Sequence, residues 1–124
     1  MLTPVSFANI AGAPAVGDVI TTRAKLEADG AVELLYRDGK KLFLGFIILH
    51  EGEVLGYQNR CPHAGTPLNL YGPNFYNNDK TRLLCATHGA QFDVSSGQCV
   101  KGPCKGDWLI PLAITITDDE VLAA

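Results

Sequence analysis

Two short segments carry most of the chemistry in this chain: Cys61-Pro62-His63 and Cys85-Ala86-Thr87-His88. Each offers one thiolate and one imidazole within a few residues. Each then runs into small, turn-forming residues, Ala64-Gly65-Thr66-Pro67 after the first and Gly89-Ala90 after the second. Two of the three histidines and two of the four cysteines lie here. Thiolate is the soft ligand that sulfide-bridged iron prefers, and imidazole is also a good iron ligand. A binuclear iron–sulfur centre has two terminal ligand positions on each iron. Two loops with one thiolate and one imidazole apiece suit such a centre, with Cys61 and Cys85 on one iron and His63 and His88 on the other.

Two other chemistries compete for these residues. The same donors suit tetrahedral zinc, but structural zinc sites more often pair Cys with Cys and His with His than alternate them. Four cysteines in a short chain can also form a disulfide framework. The histidines beside Cys61 and Cys85 favour metal, as does a start (residues 1–15) without a basic region and an apolar run.

The elements that must hold these loops read as short strands. Residues 19–22 begin one, and residues 32–36 form another before Asp38-Gly39, a strong two-residue hairpin signal. Residues 42–49 and 54–57 flank Glu51-Gly52 as a second hairpin. Residues 90–94 and 98–100 flank Ser95-Ser96-Gly97, and residues 112–117 alternate apolar and polar side chains before Asp118-Asp119 and a short 121–122 strand. Seven or eight such strands predict an antiparallel sandwich or small barrel. A short turn near residues 7–10 and a short helix over residues 26–31 are the places where helix competes. Between the ligand segments, residues 69–80 form a polar loop rich in Gly, Pro and Asn.

At 124 residues the chain predicts one domain, too short for a catalytic domain beside an electron-transfer module. Its 47% hydrophobic and 19% charged residues are ordinary for a globular protein. The net charge of −3 and scattered basic residues predict no nucleic-acid partner. No apolar run approaches the roughly 18 residues of a membrane span, so a cytoplasmic location without membrane contact is expected.

The pattern Cys-x-His followed by Cys-x-x-His resembles that of the Rieske iron–sulfur proteins. The likeness extends to Gly89 directly after His88, to Phe92-Asp93-Val94 with Gly97 as the hairpin that follows, and to Gly102-Pro103 as the proline loop that covers the cluster. It takes in residues 54–116, about half the chain. The resemblance implies an all-β fold, a Rieske-like antiparallel β-sandwich or small barrel with a two-loop cluster-binding subdomain. It implies one domain over residues 1–124, with the cluster-binding part at about 58–106. It also implies a 2Fe–2S cluster as cofactor, Cys61, His63, Cys85 and His88 as its ligands, and electron transfer in place of catalysis.

Departures from the family pattern bear on the redox potential. Rieske proteins of the respiratory and photosynthetic cytochrome complexes carry an extra cysteine in each loop, joined as a disulfide; here those positions are Thr66 and Thr87. The same relatives place a serine two residues after the second histidine and a tyrosine four after it, both donating to sulfur. Here they are Ala90 and Phe92, which cannot donate. Hydrogen bonds to sulfur stabilise the extra electron, so a potential near the lower end of the Rieske range is expected. That points to a soluble Rieske-type ferredoxin passing single electrons from a reductase to a terminal oxygenase or similar redox protein. The alternative is a small 2Fe–2S subunit of a reductase complex, resembling the small subunit of assimilatory nitrite reductase.

A few residues remain outside the motif. Cys99 and Cys104 are expected as small buried or half-buried thiols, with a disulfide between them as the alternative. His50 is expected as a solvated turn residue. Trp108 and Ile110, just before Pro111, are expected to fill the core, with a docking surface as the other reading.

Overall fold

The computed structural model of the chain describes residues 2–62, 65–69 and 74–124. A 3-10 turn at Phe7–Asn9 precedes β1 (Val19–Thr22), α1 (Arg23–Asp29), β2 (Ala31–Asp38), β3 (Lys41–His50) and β4 (Glu53–Gln58). Then come β5 (Arg82–Leu84), β6 (Gln91–Asp93), β7 (Cys99–Lys101), β8 (Ile114–Thr117) and β9 (Glu120–Ala123). The fold is all-β and antiparallel, as expected. Among the described residues the strands form three three-stranded sheets, β1-β9-β8, β2-β3-β4 and β5-β6-β7.

The chain divides into two compact units, one built from Thr3–Gln58 with Pro111–Ala124 and the other on Asn59–Ile110. In the first, the two-residue turn is Gly39-Lys40, one position later than Asp38-Gly39, and it sets β2 against β3 with Asp38 opposite Lys41. β3 is apolar on both faces and buries Phe46, Ile47 and Ile48 in succession, the signature of a strand covered on both sides. Ile47 joins Phe7, Leu26, Leu34, Leu112 and Val121 in a single core cluster.

The helix begins earlier than residues 26–31. The Thr22 hydroxyl accepts from the Lys25 amide at 3.1 Å and caps α1, and Gly30 ends it in a left-handed conformation (φ 80°). At seven residues it does not alter the class. His50 is the last residue of β3, half-buried opposite Glu53, where a solvated turn position was expected.

In the second unit, β5, β6 and β7 place Leu83 opposite Phe92 and Phe92 opposite Cys99. All three are buried, so this row forms the apolar face of the small sheet. β5 was absent from the strands expected from sequence. The expectation for residues 108–110 is corrected: Leu109 is the buried residue, with its amide donating to the Gly97 carbonyl at 2.8 Å. Trp108 and Ile110 on either side of it are half-buried, because successive side chains of an extended chain point opposite ways.

Candidate metal centre

Cys61 and Cys85 begin loops with the same backbone pattern. The Cys61 amide donates to the Thr66 carbonyl (2.8 Å) and the Gly65 amide returns to the Cys61 carbonyl (2.8 Å). The Cys85 amide donates to the Ala90 carbonyl (2.8 Å) and the Gly89 amide returns to the Cys85 carbonyl (2.9 Å). In each loop the residue four after the cysteine must turn left-handed, and glycine supplies that at Gly65 (φ 70°) and Gly89 (φ 74°).

Each loop is anchored at its base. The second is the tip of the β5–β6 hairpin, closed by Leu84 opposite Gln91. The first is held by Asn59, which is buried. Its side-chain carbonyl accepts from the Leu68 amide at 2.7 Å, and its amide group donates to Asn69 Oδ1 at 2.8 Å. Sequence reasoning missed Asn59. Its partners lie nine and ten positions further along, so no local pattern marks it.

The loops also touch each other. The Ala86 amide donates to the Leu68 carbonyl at 2.9 Å, and the Thr66 and Thr87 hydroxyls are hydrogen-bonded at 3.1 Å. The structure thus brings the Cys61 and Cys85 loops side by side. The two cysteine side chains are 1% and 0% exposed, whereas His88 is exposed. His63 lies outside the described residues.

This donor arrangement fits a sulfide-bridged iron pair: soft thiols on the buried side of two matched loops and an imidazole at the surface. Ala90 and Phe92, fully buried, bring no hydrogen-bond donor in their side chains.

β7 leads into a turn beside the second loop. The Cys99 amide donates to the Asp107 carbonyl (2.7 Å) and the Gly106 amide to the Cys99 carbonyl (3.0 Å). Gly102 sits at φ 99°, and a Cβ placed there would lie 2.9 Å from the Ala90 Cα. The turn is therefore seated directly on the Cys85 loop. Cys99 and Cys104 meet inside it, as buried thiols with no disulfide among the described residues. Burial, then the hydrogen bond to Cys99, pushes the Cys104 thiol well above its ordinary value, and the nearby Cys61 adds to the effect.

Comparison with known proteins places this geometry in a family. The description "Rieske [2Fe-2S] domain" matches residues 18–116. No curated protein matches the chain. Among solved structures, the chain is similar to a ferredoxin of Sphingomonas yanoikuyae B1, at 21% identity and a TM-score of 0.62 over 86% of this chain and 96% of that one. It is also similar to the ferredoxin of carbazole 1,9a-dioxygenase from Nocardioides aromaticivorans IC177, at 20% identity and a TM-score of 0.64 over 89% and 98%. A third likeness is to the cyanobacterial plasma membrane Rieske protein PetC3 from Synechocystis PCC 6803, at 25% identity and a TM-score of 0.57 over 88% and 96%. No helix among the described residues is long and apolar enough to cross a membrane. Two matched thiol loops, the second beneath a turn bearing Gly102-Pro103, within a family match that spans most of the chain, lead to one conclusion: the chain belongs to the Rieske [2Fe-2S] domain family and is an electron-transfer protein with a Rieske-type 2Fe–2S cluster as its cofactor.

Proposed function

We propose that Cys61 and Cys85 are the thiolate ligands and His63 and His88 the imidazole ligands, and that the protein is a cytoplasmic ferredoxin. In this role it carries single electrons between a reductase and a terminal oxygenase or similar redox enzyme. The observation that carries the proposal is the pairing of two like loops, bridged by Thr66 and Thr87, with both thiols buried and His88 exposed. Similarity to two ferredoxins, one of them from a dioxygenase system, supports the choice of partners.

When bound, the cluster supplies a one-electron couple. The chain's own residues set the conditions for it. Cys61 and Cys85 bind from the buried side and keep water from the sulfur atoms. The paired backbone bonds of each loop hold the thiols in place. His88, at the surface, is where a partner can approach, so the electron path out of the protein is short. The whole chain works as one domain, with residues of about 58–106 holding the cluster.

The experiment is metal and sulfide analysis of protein prepared without oxygen, with electron spin resonance of the reduced form. About two irons and two acid-labile sulfides per chain, with a low average g value, are expected. C61S, C85S, H63A and H88A should each lose iron and sulfide together. Stoichiometric zinc without sulfide, or full iron in any of these variants, would overturn the ligand assignment. Reduction by a flavin reductase and reoxidation by an oxygenase then test the partners.

A further inference from the structure

Cys99 and Cys104 belong to neither ligand loop, yet the fold brings them together. The Cys104 thiol donates to Cys99 Sγ at 2.8 Å, and the Cys99 thiol donates to the Lys101 carbonyl at 3.4 Å. The side chains are 2% and 3% exposed. Backbone bonds fix the approach, with Cys99 tied to both Gly106 and Asp107, and the Asp107 amide donating to the Cys104 carbonyl at 2.8 Å.

We propose that Cys99 and Cys104 form a reversible disulfide, a two-electron redox site separate from the cluster ligands. The oxidant class is a peroxide. Two S–H bonds and the O–O bond break, the two Sγ atoms join, and two waters leave. A small dithiol restores the pair by exchange. The sulfur atoms, 2.8 Å apart, need close only about 0.8 Å to reach bonding distance. Burial makes the reaction slow, but Gly102, Pro103 and Lys105 are exposed, so the turn that carries Cys104 lies at the surface.

The consequence follows from where the turn rests. Gly102 packs on Ala90, whose carbonyl accepts the Cys85 amide. A bond from Cys104 to β7 pins this turn against the second ligand loop. The dithiol leaves it held by backbone bonds and the thiol contact. The inference stands on the thiol geometry and does not depend on which residues hold the cluster.

The test is a thiol map of the holoprotein after graded hydrogen peroxide. The protein is unfolded in acid, free thiols are blocked with N-ethylmaleimide, and trypsin is added without reductant. Cleavage after Arg82, Lys101 and Lys105 separates Cys104 from Cys99, because the first peptide holds Cys85 and Cys99 and the second holds Cys104. The expected result is these two peptides joined through Cys99, with Cys85 blocked, and equal loss of label at Cys99 and Cys104. Dithiothreitol should restore both labels, and C99S should abolish the link. Labels retained at both positions, or Cys104 joined to Cys61 or Cys85 in place of Cys99, would overturn the proposal. The map on unmutated protein decides the matter even where C99S folds poorly.

Discussion

Thr66 and Thr87 reach across the Cys61 and Cys85 loops, their hydroxyl oxygens 3.1 Å apart. The high-potential relatives join these positions by a disulfide; this chain uses one hydroxyl donating to the other. A hydrogen bond of this kind contributes about 0.5–1.5 kcal/mol net, less than a covalent bridge supplies. Both residues are half-buried, so removing one hydroxyl leaves the other short of a partner.

T66V and T87V should therefore each lower stability by about 1 kcal/mol. The double variant should lose less than the sum, because the second substitution removes a hydroxyl already without its mate. Denaturant unfolding of all four proteins measures this coupling. Strict additivity would show that the two side chains act independently.

The turn over the second loop offers a contrast between two glycines. Gly102 and Gly106 have nearly the same φ, 99° and 97°. A Cβ at Gly102 would strike the Ala90 backbone at 2.9 Å, whereas at Gly106 it would meet nothing within 4 Å. G106A should cost only the left-handed conformation, about 1 kcal/mol. G102A adds a clash with main chain that cannot rotate away, so it should cost about 2–3 kcal/mol or displace the turn. Thermal unfolding ranks the two, and equal losses would mean that the turn does not bear on Ala90.

These relationships differ in how far they show in the sequence. The hairpins near Gly39 and at Glu51-Gly52 were legible because long apolar strands meet at residues that suit tight turns, the first of them one position later than expected. β5 was not legible, since Arg82–Leu84 has only three residues and its identity as a strand comes from pairing with β6. At residues 108–110, the large side chain of Trp108 suggested burial, but tertiary packing chose Leu109. The ligand spacing stood out, and so did the absence of cysteines at Thr66 and Thr87. What replaces the bridge did not, because a hydroxyl pair twenty-one positions apart leaves no local signal. Asn59 is of the same kind: its role depends on Leu68 and Asn69, which the chain reaches only after a turn.

The buried faces of Ala90 and Phe92 bear on the potential. With no side-chain donor at either position, the added electron is stabilised less, and a value on the order of −150 mV is expected by protein-film voltammetry. F92Y adds one hydroxyl to a fully buried ring and should raise the potential where that hydroxyl reaches a ligand sulfur. A wild-type value well above zero would contradict the reading of these two positions. So would a fall in potential on F92Y in protein that retains its iron.

The turn that feeds β5 depends on a charged group. Asp79 Oδ1 accepts from the Thr81 hydroxyl at 2.6 Å and from the Thr81 amide at 3.2 Å, and the hydroxyl contact is the main cause that holds its carboxyl below the usual value. Asn77 Oδ1 accepts from the amides of Thr81 and Arg82, so the two side chains together set the start of the strand that runs to Cys85. A carboxyl with a lowered folded-state pKa contributes stability above its unfolded value, near pH 3.9, and loses it as pH falls through the folded value. Asp79 is exposed, so solvent screens the effect and the contribution is small. D79A should unfold at a lower temperature than wild type at pH 7, and the gap should narrow as pH is taken below about 4. T81V should lower the unfolding temperature in the same direction and shrink the further effect of D79A. A gap between wild type and D79A that stays constant from pH 7 to pH 3 would place the role of Asp79 in something other than its charge.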